Sequence, residues 1–229
     1  MGADELRPQP EGANEKLIQA KQNVAEQRAA RGIGTGAAES ARDRLPPGQK
    51  LIASWQVLDL GLRPEVPTAT WQLAVFGAVL EPRTFTWEQF RALPQTRLVT
   101  DFHCVTGWSV YDAEVEGVLW HDLLRVLQPR PEAAHCLFHC HDGYTTNLSL
   151  DDLGRENVAI VHSFGGKPLE REHGGPARTW VPHLYAWKYA KWVKGIEFLA
   201  GDKPGFWEVR GYHNRGDPWK EERYNPDLA

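Results

Sequence analysis

Several common signals are scarce or missing in this 229-residue chain, and each absence excludes something. There are only 3 cysteines, an odd number with no disulfide-type spacing, which points to a reducing compartment rather than a stapled extracellular scaffold. No run of about 18 apolar residues occurs, so no segment reads as a membrane span. The opening Met1 to Arg7 has no apolar core of a secretory signal, and a cytoplasmic location is expected. The net charge of −4 gives no reason to expect nucleic acid or an anionic membrane as partner. Neither G-x-x-x-x-G-K-[ST] nor G-x-G-x-x-G is present, which removes the P-loop and the Rossmann fingerprint. No G-x-S-x-G nucleophile elbow and no C-x-x-C-H haem attachment appear either.

Aromatic residues are absent from residues 1–50, while all 10 tryptophans lie at or after Trp55. The first 50 residues are therefore expected to be a polar arm that packs on the body or on a partner, or stays mobile. Glu15 to Arg31 reads as a polar helix ended by the glycines at 32, 34 and 36, and the arm carries no catalytic signature. Residues 51–229 read as one domain with a sizeable core. Residues 71–79, 97–100, 136–141, 158–164 and 192–199 have strand composition. Thr86-Trp87-Glu88-Gln89 is a capping box that starts a short helix stopped at Pro94, and Trp120 to Leu127 is a second. Short strands, Gly/Pro turns and few helices predict an α+β domain of mostly mixed β-sheet with short helices.

The chemistry centres on Cys104, in Phe102-His103-Cys104-Val105-Thr106-Gly107-Trp108-Ser109. A strand leads into it and Gly107 breaks the pattern, so Cys104 falls at a strand-to-loop junction, where rigid scaffolds present reactive groups. A thiolate there is a nucleophile or a soft metal ligand; a lone cysteine is otherwise most often a small buried apolar residue. His135, His139, His141, Cys136 and Cys140 do not make a structural zinc site, because strand alternation puts the histidines and cysteines on opposite faces. His141, beside the Asp142-Gly143 turn, is the one that can face a ligand. His173-Gly174-Gly175-Pro176-Ala177-Arg178 is a tight turn flanked by cations, and Lys188 and Lys191 follow on an expected short helix from Leu184 to Lys191. Together they read as an anion pocket with Arg178 as a bidentate fork, or as a solvated basic face. The aromatic tail from Pro204 to Trp219 reads as a packed closing loop, with a lid carrying Tyr212 or His213 as the alternative.

These segments, in this order, resemble the sulfite-oxidase-like molybdopterin oxidoreductases. Phe102 to Ser109 resembles that family's cofactor-anchoring segment, and His173 to Arg178 its H-x-G-x-x-R phosphate turn. Asp142-Gly143-Tyr144-Thr145-Thr146-Asn147 is similar to its D-G-Y turn, and Lys188-Tyr189-Ala190-Lys191-Trp192 to its K-x-x-K-W segment. The resemblance implies the family's molybdopterin-binding fold and a molybdenum cofactor with a single pterin. It makes Cys104 the metal ligand and catalytic residue. His103, His141, His173, Arg178, Lys188, Tyr189 and Lys191 would hold the cofactor, with Val57, Leu58 and Asp59 as a first pterin-contacting strand. The implied reaction is oxygen-atom or two-electron transfer on a small substrate, sulfur compounds included, with a separate electron-transfer partner. Two departures argue against sulfite itself. Leu58-Asp59, with Arg63 as the nearest arginine, replaces a substrate-binding arginine, and Val105-Thr106-Gly107 replaces basic residues after the cysteine. The alternatives are a cysteine-dependent hydrolase using Cys104 and a pterin-binding module without turnover.

Overall fold

The computed structural model describes residues 10–36 and 44–228. The remaining parts of the N-terminal arm, residues 1–9 and 37–43, lie outside the described residues, as does the segment read for a secretory signal.

Along the chain the elements are α1 (Glu15–Ala29), β1 (Lys50–Leu51), β2 (Gln72–Gly77), β3 (Arg83–Thr86), α2 (Trp87–Arg91), β4 (Thr96–Cys104) and β5 (Trp108–Leu119). They continue with α3 (Trp120–Leu127), β6 (His135–Cys140), β7 (Thr145–Ser149), α4 (Leu150–Leu153), β8 (Ala159–Phe164), β9 (Lys167–Pro168), β10 (Arg178–Trp180) and β11 (Val193–Leu199). A 6-stranded sheet runs β1-β5-β8-β10, with β4 on β5 and β9 on β8; a 5-stranded sheet runs β3-β2-β11-β6-β7. Pairing is mixed: β1 with β5 and β2 with β11 are parallel, the rest antiparallel. The expected α+β architecture is what forms, and it forms because alternate strand residues turn inward. In β6, Cys136, Phe138 and Cys140 are buried while His135 and His139 are half-exposed, so the histidines and cysteines face apart. His139 pairs with Glu197 of β11 at 3.0 Å. Among the described residues no group of three or more His, Cys, Asp or Glu that could hold a metal ion forms.

The Thr86 capping box is complete: the Thr86 hydroxyl accepts the Gln89 N–H and the Gln89 side chain accepts the Thr86 N–H. The expected helix from Leu184 to Lys191 does not form. Only a 3-10 turn, Ala186–Lys188, is present, because Ala190 and Thr179 of β10 bond to each other: Thr179 N donates to Ala190 O and Ala190 N to Thr179 Oγ1. That pairing pulls the chain straight and puts Lys188 and Lys191 in different surroundings. Residues 56–59, expected as a strand, are an irregular segment.

The arm helix α1 is capped by Asn14, whose side chain accepts the Leu17 N–H at 3.0 Å. Ile18, Gln22, Ala25 and Ala29 are buried at helical spacing, so one stripe of an otherwise polar helix lies on the body. Both ends are tied: Asn14 N donates to Leu60 O at 2.7 Å, and Gly34 O accepts from Arg223 N and Tyr224 N. The described part of the arm therefore packs on the body. No described helix is long and apolar enough to cross a membrane.

Candidate active site

Antiparallel β4 and β5 are joined by Val105-Thr106-Gly107, and the turn closes with Gly107 N donating to Cys104 O at 3.1 Å. Gly107 has φ of 96°, a conformation that favours glycine. Cys104 is thus the last residue of its strand, at the expected junction. Behind it lies a buried polar chain. Gln49 Nε2 donates to Cys104 O at 3.1 Å, Ser109 Oγ donates to Gln49 Oε1 at 3.2 Å, and His103 Nδ1 meets Ser109 Oγ at 2.9 Å. Since the Ser109 proton goes to Gln49, Nδ1 of His103 must carry the proton in this contact. Burial pushes the His103 ring down to about 4, so it is a neutral brace of the cysteine turn. His103 does not line the cavity in front of Cys104.

That cavity is an open pocket with about 800 Å³ of atom-free space, its solvent-filled mouth included. Cys104, Thr106 and Trp108 form one part of its lining; His173, Arg178 and Lys191 form another. Stacked and edge-on rings connect them: Trp108 on Phe102 at 5.5 Å, Phe102 edge-on to Trp55 at 5.6 Å, and Trp55 on His173 at 4.1 Å between centroids. The Cys104 thiol is raised by burial, against the lowering influence of Thr106, Lys21 and Arg223. Its polar contacts come from Thr106, through the hydroxyl Oγ1 at 3.1 Å and the backbone.

The cationic side carries charges that burial opposes. Arg178 is pushed down to about 10 by burial. Its Nη atoms donate to His173 O at 2.8 Å and Tyr189 O at 3.3 Å, and it lies against the Trp55, Trp180 and Tyr189 rings. Burial, with Arg178 second, brings Lys191 down to about 7. Its ammonium donates to Leu58 O at 3.0 Å and Glu172 O at 2.6 Å. His173 is held at about 4 by burial and the neighbouring cations. Gly174, at φ of 101°, is needed for packing rather than for ligand approach: a Cβ there would meet Lys191 Cβ at 2.8 Å.

Of the residues singled out from the sequence, Cys104, Leu58, Asp59, His173, Arg178, Tyr189 and Lys191 line this cavity. Val57, His103, His141 and Lys188 do not. His141 is exposed beside its turn. Lys188 is fully buried elsewhere, with its ammonium 2.6 Å from Glu208 and donating to the Asn147 carbonyl oxygens at 2.9 and 3.0 Å. Of the tail alternatives, Trp207 and Tyr212 line the cavity, while His213 caps the backbone N–H groups of Arg215 and Gly216. Sequence reasoning missed Lys21, Trp55 and Asp142. Lys21 comes from α1, and only its spacing from buried Ile18 could have hinted that it faces the body. Asp142 is raised to about 6 by burial, and its Oδ1 accepts the Tyr144 N–H at 3.0 Å.

The residues suit a cofactor carrying a soft metal and a phosphate. A thiol and two cations line one cavity, and two of its lining residues carry a buried polar atom, Arg178 Nε and Tyr189 Oη, with no hydrogen-bond partner among the described residues. Buried polar groups are nearly always paired, so two unpaired ones on residues that line one cavity fit a bound polar group.

Comparison with known proteins agrees. The chain belongs to the family of oxidoreductases with a molybdopterin-binding domain: residues 61–207 match the family described as Oxidoreductase molybdopterin binding domain. It is 42% identical over 185 residues to the uncharacterized oxidoreductase YuiH of Bacillus subtilis (strain 168), covering 80% of this chain and 93% of that one. It is 29% identical over 150 residues to the putative protein-methionine-sulfoxide reductase subunit YedZ1 of Azospira oryzae, covering 65% of this chain and 56% of the relative. It is 25% identical to the protein-methionine-sulfoxide reductase catalytic subunit MsrP of Ralstonia nicotianae, covering 64% of this chain and 49% of the relative. The chain thus spans about half the length of these two reductases. The sulfane dehydrogenase SoxCD of Paracoccus pantotrophus has a similar fold, with a TM-score of 0.59 at 20% identity over 63% of this chain and 42% of that one.

Proposed function

We propose that this oxidoreductase binds a molybdenum–pterin cofactor in the cavity between Cys104 and Arg178. On this reading it carries out oxygen-atom or two-electron transfer on a small substrate such as a sulfoxide, and a separate protein partner exchanges the electrons. The observation that carries the reading is that Cys104, His173, Arg178, Tyr189 and Lys191 line one cavity, with Arg178 Nε and Tyr189 Oη buried and unpartnered among the described residues.

Cys104 provides the thiolate, the form in which cysteine binds metal, and a thiolate suits a soft metal. The His103–Ser109–Gln49 chain fixes the carbonyl of Cys104 and hence the direction of its side chain. Arg178 and Lys191 provide positive charge for the cofactor's phosphate, and the desolvated cations gain most when an anion joins them. Trp55, Phe102 and Trp108 shield the space from water. The bound cofactor supplies the two-electron chemistry, which no side chain here can provide. A sulfoxide is favoured over sulfite because two relatives are named for methionine sulfoxide reduction and because Arg63 is engaged with Asp59 at 2.8 Å.

The cysteine-hydrolase alternative lacks a base. The described residues give Cys104 no histidine partner, and the ring of His103 is turned to Ser109. Elemental and pterin analysis of protein made in a cofactor-competent host tests the proposal. About one molybdenum and one pterin per chain, with sulfoxide reduction by an artificial electron donor, is expected. A metal-free, pterin-free protein whose Cys104 reacts stoichiometrically with acyl substrates would replace it with the hydrolase.

A further inference from the structure

The cavity holds a cation with no assigned task. Lys21 lies one helical turn beyond buried Ile18 on α1, and its side chain reaches the cavity lining beside Cys104 and Asp59. Its ammonium sits over the Trp207 ring, 5.2 Å from the centroid, within electrostatic reach of both Cys104 and Asp59. Among the described residues Lys21 makes no hydrogen bond and no direct ion pair.

The other cations around the cavity are committed. Arg178 holds the carbonyls of His173 and Tyr189, Lys191 those of Leu58 and Glu172, and Arg223 the carbonyls of Val105 and Pro47. Asp59 does not neutralise Lys21, because Arg63 already binds it at 2.8 Å and Lys191 stands 4.0 Å away. Lys21 is also held in place: α1 is tied to Leu60 at one end and through Gly34 to Arg223 and Tyr224 at the other. A half-buried ammonium on a fixed helix, unpaired and facing a cavity lined by Trp207 and Tyr212, favours a ligand with an apolar body and one electron-rich oxygen.

We propose that Lys21 is a substrate-binding residue that receives the negatively charged or strongly polarised oxygen of a small substrate entering beside Cys104. The N-terminal helix is then a wall of the active site rather than an appendage. The class is a compact oxyanion or an S-oxide, the shared feature being an oxygen that accepts a charged hydrogen bond. This rests on the functional reading above for the reaction, but not for the contact.

The contact is tested without cofactor. Full-length chain from a cofactor-deficient host is alkylated at Cys104 with iodoacetate or iodoacetamide; in both cases the thiolate displaces iodide from carbon. The ratio of the two rates cancels any change in thiolate fraction and reports the local charge met by an anion. Lys21→Met is expected to lower the iodoacetate-to-iodoacetamide ratio by about five- to tenfold, the size of one nearby, partly desolvated charge. Lys21→Arg should keep the ratio, and Lys16→Met, an equal charge change on the exposed face of α1, should leave it unaltered. Sulfate and dimethyl sulfoxide are added as protectants. Slowed labelling by sulfate marks an oxyanion site and by dimethyl sulfoxide an S-oxide site, with the protection lost in Lys21→Met. In the loaded enzyme Lys21→Met should raise KM by about tenfold and leave kcat within about twofold, because ground-state binding is what the residue supplies. An unchanged alkylation ratio in Lys21→Met, or no protection by either compound in the unmutated chain, overturns the proposal. A chain that shows the expected ratio yet never binds molybdenum would defeat the functional reading and leave this contact standing.

Discussion

The two sides of the cavity are built on opposite plans. On the thiol side a neutral buried chain, His103 to Ser109 to Gln49, fixes a backbone turn and leaves Cys104 with a single hydroxyl neighbour. On the other side two cations crowd a neutral histidine, and burial pushes Lys191 down to about 7, Arg178 to about 10 and His173 to about 4. The first has its buried chain satisfied, and the groups left open are the sulfur and the Lys21 ammonium beside it. The second is strained by its own charge and would be relieved by an anion. On the proposed reading, one cavity would separate two tasks: orienting a reactive ligand and retaining a charged one.

Substitutions can break this contrast. Cys104→Ser should abolish turnover while the protein remains folded, because a hydroxyl is a poor soft ligand; the check is steady-state activity beside circular dichroism. Next in size, Lys188→Met should destabilise the protein by about 3–5 kcal/mol in chemical denaturation, since it leaves the Glu208 carboxylate buried without its ammonium. Lys191→Met should cost less stability and instead deplete the cofactor. Two lysines three apart in sequence would then separate into a structural and a binding residue.

Arg178→Ala should weaken cofactor retention by about ten- to a hundredfold, from roughly 1.5–3 kcal/mol per charged hydrogen bond. Arg178→Lys should restore only part of it, because lysine keeps the charge and loses the fork. Retention is read as the molybdenum-to-protein ratio after dialysis.

The smallest effect is a slope. Lys191 has a folded value near 7 against 10.5 in the unfolded chain, so between those values the unfolded state binds more protons. Its contribution to the stability of the cofactor-free protein therefore rises with pH above 7, by up to about 1.4 kcal/mol per unit. Denaturation of the unmutated chain and of Lys191→Met, compared from pH 7 to 9, should show the unmutated chain gaining relative to the variant. Parallel profiles would mean that Lys191 is not suppressed by burial.

Much of this was legible in the sequence, and what was not has a physical reason. Cys104 at a strand end, the Thr86 capping box and the alternation that separates His135 and His139 from Cys136 and Cys140 are local patterns, and local patterns survive into the fold. The cationic turn at His173 to Arg178 was readable as charge chemistry. The helix expected over Leu184 to Lys191 was not, because Thr179 competes for the backbone of Ala190 and no helical periodicity records that. The division of labour between Lys188 and Lys191 depends on Glu208 and Asn147, both distant in sequence. Lys21 was invisible for the same reason: its meaning comes from Trp207, Cys104 and Asp59, and a polar helix by itself carries no such signal.

The central claim, that one cofactor is held by two chemically separate sides of one cavity, is tested most directly by measuring pterin per chain in Cys104→Ser and Arg178→Ala, each purified from a cofactor-competent host. Cys104→Ser is expected to keep most of its pterin with no turnover, and Arg178→Ala to lose pterin and molybdenum together. A fully loaded Arg178→Ala protein, or a Cys104→Ser protein as empty of pterin as Arg178→Ala, would contradict it.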